Sequence, residues 1–133
     1  MTSQFAVIEE AYRKTGELSI QVDNQYGVSS EKRQIVVKLH FRFYKMEPPF
    51  ISIVVACYFE IDKKGWKQLI NENGDVLLPK TLLSHLTVLT VGTTRGILHS
   101  KTEGTKYNKY ILPTINVNQL VEEDVLFTAD ELV

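Results

Sequence analysis

The sequence predicts an α+β domain in which an antiparallel sheet packs against one short and one long helix. Three observations carry that expectation. Residues Gln34–Met46 alternate in polarity as a half-buried strand does. Pro48 and Pro49 interrupt the ladder, and Phe50–Ile61 resumes it as a returning strand. Pro79–Ser100 has helical spacing and is apolar or small around most of its circumference.

The start of the chain has two readings. Ser3 can cap a short helix through Phe5, Ile8 and Tyr12 to Gly16, or the same residues can form an edge strand. Leu18–Tyr26 is a strand with Leu18, Ile20 and Val22 inward, and a loop at Gly27–Ser30 follows. In Gln34–Met46, residues Ile35, Val37, Leu39, Phe41 and Phe43 face the core, while Lys38, His40 and Arg42 face away. The return strand has Ile51, Ile53, Val55, Cys57, Phe59 and Ile61 on one side, and its other side, Phe50, Ser52, Val54, Ala56, Tyr58 and Glu60, is also rather apolar. That predicts cover on both faces.

Lys63–Asp75 reads as a short amphipathic helix, with Trp66, Leu69 and Ile70 at helical spacing and Gly74 as its stop. Val76-Leu77-Leu78 is an apolar loop, and Pro79 opens the long helix. Leu82, Leu86, Leu89, Thr93 and Ile97 form one face of that helix. Leu83, Thr87, Thr90, Val91, Thr94 and Leu98 form a second, and Ser84, His85, Arg95 and His99, with Val88 among them, form a narrow polar arc. A helix on one sheet needs an apolar stripe of only about 100°, so another subunit, a ligand or a client chain is expected to cover the excess. Gly92 and Gly96 each cost the helix about 1 kcal/mol relative to Ala, a cost that close approach of another backbone or a ligand usually offsets.

At 133 residues the chain fits one domain spanning 1–133. It is 44% hydrophobic and 23% charged, with net charge −1, which argues against general nucleic-acid affinity. Residues 121–133 carry five of the 16 acids and no base, which predicts an acidic flexible tail on a mildly basic body. Cys57 is the single cysteine, so no intrachain disulfide forms. No basic region with a following apolar run marks a leader, and no apolar run reaches the ~18 residues of a membrane span. The expected location is the cytoplasm.

Catalytic and metal motifs are sparse. His85 and His99 lie about 21 Å apart along a helix, too far to share a metal. Ser84 and His85 point about 100° apart and cannot pair as nucleophile and base. Gly92 and Gly96 sit within a helix with no Lys-Ser/Thr after them, unlike a phosphate loop. Lys101–Tyr110 interleaves lysines with Tyr107 and Tyr110, but three lysines on a near-neutral chain read better as a solvated loop than as a nucleic-acid contact.

Three short motifs occur in order after the strand ending CYFEI: Leu77-Leu78-Pro79, Thr94-Arg95-Gly96 and Leu112-Pro113-Thr114-Ile115-Asn116. In this order they resemble the SecB protein-export chaperone family over roughly Leu18–Leu120. The resemblance implies a four-stranded antiparallel sheet backed by the helices, with a first strand at about Phe5–Arg13. It implies dimers that pair into tetramers, and apolar grooves that hold unfolded preproteins without ATP or any cofactor. The chain departs from the family in a longer insert at Ile97–Ile111, in the outward Lys38, His40 and Arg42, and in a shortened C-terminal helix. Those departures bear on docking to the SecA motor, a further candidate partner.

The functional expectation is therefore a non-enzymatic, cytoplasmic, SecB-like chaperone that binds unfolded polypeptide. Its candidate groove residues are Trp66, Leu69, Ile70, Leu77, Leu82, Leu86 and Leu89, with Tyr26 and Val28 on a flanking crossover loop. The alternatives are a dedicated antitoxin chaperone, a structural oligomeric module without clients, and a small hot-dog-like enzyme, for which Asp75 is the nearest acid to the long helix.

Overall fold

Alternation builds the sheet. The computed structural model describes residues 1–129. Strands β1 (Thr2–Val7), β2 (Ser19–Ser29), β3 (Gln34–Tyr44) and β4 (Ile51–Glu60) form one antiparallel sheet in the order β1-β4-β3-β2. The inward residues Ile35, Val37, Leu39, Phe41, Phe43, Ile51, Ile53 and Val55 are fully buried. The N-terminal ambiguity resolves to strand for Thr2–Val7, followed by one 3-10 turn at Glu9–Ala11. Pairing with β4 outweighs the local helical spacing.

Two boundaries differ from expectation. Strand β2 runs through Gly27 and Val28 to Ser29 instead of ending in a loop, because its ladder with β3 continues to Ser29↔Gln34 and buries Val28. Phe50, which simple alternation puts on the outer side, precedes β4. Its N–H donates to the Phe43 carbonyl, and its ring turns fully into the core.

Helix α1 (Lys63–Leu69) is capped by Asp62, whose Oδ1 accepts from the Gly65 N–H at 2.7 Å. It stops short of the expected Asp75, because the Asn71 side chain accepts from the Asn73 and Asp75 N–H groups and closes a turn there. Gly74 supplies the positive φ of +80° that this turn uses. Val76–Leu78 is not a loop but strand β5, paired antiparallel with β6 (Val125–Phe127). The expected acidic tail is thus part of the fold as far as Ala129. Val121 is buried, Asp124 accepts from the Lys80 N–H at 2.7 Å, and Asp75 accepts from the Ala129 N–H at 2.9 Å. Residues 130–133 of that tail lie outside the described residues.

Helix α2 (Lys80–Thr102) lies across the inner face of the sheet. Its face of Leu83, Thr87, Thr90, Val91, Thr94 and Leu98 is entirely buried. The sheet brings large side chains and the helix interleaves small threonines with its leucines, which is how facing surfaces fill the space between them. Burying hydroxyls costs little here, because each is satisfied within the helix. Thr87, Thr90, Thr94 and Thr102 donate to the carbonyls of Leu83, Leu86, Thr90 and Leu98 at 2.7–2.8 Å.

The segment expected to be a solvated loop after α2 instead returns to the core. A 3-10 turn at Lys106–Lys109 buries Tyr107 and Tyr110 against Phe50 and Tyr12. The Tyr12 and Tyr110 hydroxyls bond at 3.0 Å. Burial first, and then that bond, push the Tyr110 phenol up to about 12. Lys106 and Lys109 lie over the faces of Tyr12 and Tyr110, at 4.9 and 5.3 Å from the ring centroids. The chain then runs extended through Leu112–Asn116 into a single turn, α3 (Val117–Leu120).

Candidate functional site

The side of α2 turned from the sheet carries exposed apolar side chains. Val88 and Leu89 are 52% and 45% exposed in mid-helix, and Leu82, Thr93 and Ile97 are half-buried beside them. Gly92 and Gly96 continue this face, and a Cβ at either would meet nothing within 4 Å. Among the described residues nothing supplies the close approach that their place in a helix predicts. Beside them, α2 and the extended Leu112–Val117 segment enclose a crevice of about 350 Å³, lined by Val88, Val91, Leu112, Thr114, Ile115, Val117 and Arg95. Arg95 Nη2 donates to the Pro113 carbonyl at 3.1 Å, so a side chain of the Thr-Arg-Gly stretch holds the Leu-Pro stretch in place.

The nine candidate groove residues do not line one groove. Val28, Trp66 and Leu86 belong to the core. Tyr26 and Val28 lie on β2 with inward side chains, not on a crossover loop. The Tyr26 hydroxyl lies 3.2 Å from Thr87 Oγ1 and accepts from Asn24 Nδ2 at 3.0 Å, which ties the edge strand to α2. Leu69 and Ile70 are half-buried at the end of α1. Leu77 is exposed on β5, where alternation turns it out between the buried Val76 and Leu78. Leu82 and Leu89 are the two candidates on the open side of α2. Sequence reasoning missed Val88, which the helical wheel places among polar residues. It also missed Leu112, Ile115 and Val117, whose place beside α2 depends on the path of the chain after Thr102.

The opposite face of the sheet carries a polar network. Arg42 bonds Asp23 through Nη1 and donates from Nη2 to His40 Nδ1 at 2.8 Å. A guanidinium only donates, so Nδ1 is the acceptor, and His40 Nε2 carries the proton toward Ser52 Oγ at 2.7 Å. Burial first, then Arg42, depress the His40 pKa below the ordinary 6.5. The folded state therefore resists protonation more than the unfolded chain does. This contribution to stability is complete above about pH 6.5 and is lost as pH falls through the lower folded value. Urea midpoints measured between about pH 7.5 and 4.5 should fall more steeply for the parent protein than for His40→Gln; parallel curves would show that His40 is uncoupled from folding.

Among the described residues no group of three or more His, Cys, Asp or Glu side chains is placed to hold a metal, and no helix is long and apolar enough to cross a membrane. Asp75 is engaged through both oxygens, with the Ala129 N–H and the Asn71 amide. Comparison of the chain with family models, with curated proteins and with solved structures gives no match.

Proposed function

We propose that the chain binds extended, non-native polypeptide along the open side of α2, as a SecB-like chaperone that uses no nucleotide. The exposure of Val88 and Leu89 beside an apolar crevice carries the reading. A monomeric fold gains about 25 cal/mol for each Å² of apolar surface it hides, and here a mid-helix face is left unhidden. The crevice and the exposed arc lie side by side along the helix, which suits an extended chain. Unfolded preproteins have the apolar side chains that such a surface selects. Client aggregation tests it: purified protein should suppress the aggregation of a denatured client at near-stoichiometric ratio, without ATP. No suppression at severalfold excess overturns the proposal.

A second reading has its own support. Gly92 and Gly96 are spaced one turn apart on the open side, and small residues at that spacing let two helices approach closely. We infer that copies of the chain associate through α2 when no client is present. Light scattering reads this directly as mass.

A further inference from the structure

We propose that the face of the four-stranded sheet turned from α2 docks an extended acidic peptide. An apolar side chain would sit between Gly27, Val36 and Tyr58, and carboxylates would lie along Lys38 and Arg42. This surface is separate from α2, on the other side of the sheet, and does not depend on the function proposed above.

Two hollows lie on this face. One, of about 500 Å³, is lined by Gly27, Val36, Gln34 and Tyr58 together with Glu31 and Lys32 of the β2–β3 turn. Gly27 pairs with Val36, and Val36 with Tyr58, so the three form one row across the sheet. Tyr58 is 47% exposed. A glycine inside a strand weakens it and often marks close approach of a ligand or another backbone. Turn geometry does not require glycine here, because Gly27 is not among the positive-φ residues. A Cβ at Gly27 would rest 3.8 Å from Val36, an ordinary contact. The position accepts a side chain, and the absence of one leaves the seat open.

The second hollow, of about 520 Å³, crosses the sheet and is lined by Gln4, Asp23, Asn24, Gln25, Lys38, His40, Arg42 and Val54. Lys38 is exposed and has no ionic partner among the described residues. Asp23 is engaged by Arg42, and Glu60, on the same face, by Arg33 at 3.7 Å. The balance of charge still open in this hollow is positive. Amide groups of Gln4 and Gln25, both exposed, can donate to and accept from a peptide backbone.

Register joins the hollows. Val36, Lys38, His40 and Arg42 succeed one another along β3 at two-residue steps, roughly 6.8 Å each. The same-side side chains of an extended peptide repeat at that distance. An apolar residue in the seat therefore sets acids two, four and six positions on beside Lys38, His40 and Arg42. Anionic cover also favours the protonated form of His40, so affinity should rise as pH falls.

The probe is a dye-labelled peptide, Phe-Ser-Glu-Ser-Glu-Ser-Glu, followed by fluorescence anisotropy. It should bind with a dissociation constant of about 0.1 mM or tighter, and more tightly at pH 5.5 than at about pH 7.5. The same peptide with lysine for glutamate, or with glycine for phenylalanine, should bind at least about tenfold more weakly. Lys38→Glu should weaken binding to a similar degree. Gly27→Val should weaken it while leaving the melting temperature equal or higher, because a β-branched residue suits a strand. Leu89→Asp should leave it unchanged. Equal binding of the lysine peptide, full binding by Gly27→Val, or no binding at about 1 mM overturns the proposal. So does concentration-dependent dimerisation that Lys38→Glu or Gly27→Val abolishes, since the face would then belong to a second copy.

Discussion

Phe50→Ala should lower the unfolding free energy by about 3–5 kcal/mol, a large share of the about 5–15 kcal/mol that holds a domain folded. Phe50 is fully buried at the meeting point of four other rings. Tyr110, Tyr12, Tyr107 and Phe43 lie 5.0, 5.2, 6.3 and 6.5 Å away between centroids. Removing the ring takes away its burial and its edge-to-face contacts, and it leaves a cavity that stiff aromatic neighbours fill poorly. The effect should not be uniform. Tyr107 and Tyr110 anchor the chain as it returns from α2, so amides of residues 106–117 should lose hydrogen-exchange protection before those of β3. Phe50→Leu keeps part of the volume and should cost less. Urea unfolding measures the first effect, and exchange measured residue by residue measures the second. A loss under about 1 kcal/mol for Phe50→Ala would show that the cluster closes without its central ring.

The double substitution Val88→Asp with Leu89→Asp should abolish suppression of client aggregation while shifting the melting temperature by only a few degrees. Both side chains are about half exposed, so two carboxylates there meet water instead of displacing core contacts. A client would have to strip water from both charges to lie on α2, a cost that apolar contact over this small area cannot offset. The same pair, tested by light scattering, shows whether α2 also joins copies of the chain. Leu83→Asp serves as the contrast: Leu83 is fully buried, so a charge there should unfold the protein and remove activity for a structural reason. Undiminished suppression by the folded double variant would place client binding elsewhere.

Much of the architecture was legible from the residues. The β3 and β4 strands, the Pro-marked turn between them, the short helix at Trp66 and the long helix from Pro79 all announce themselves through local spacing. The wheel of α2 was informative in detail: the face read from Leu83 to Leu98 is the face that is buried. The candidate site was less legible. Val28, Trp66 and Leu86 are chemically fit to line a groove, yet each is taken up by the core. Leu82 and Leu89 remain on the open side of α2. Apolar identity says that a side chain avoids water; it does not say which neighbour shields it.

Periodicity and turn chemistry act between near neighbours, so the strands, the helices and the surplus of apolar surface on α2 could be read along the chain. Contacts between distant segments are another matter. The pairing of Val76–Leu78 with Val125–Phe127, the ring cluster that gathers Tyr12, Phe50, Tyr107 and Tyr110, and the crevice closed by Leu112–Val117 arose only when the chain was folded. Each joins residues tens of positions apart, and no local pattern encodes which partner a short apolar stretch will meet. The cost of closing such loops is repaid only by the assembled core.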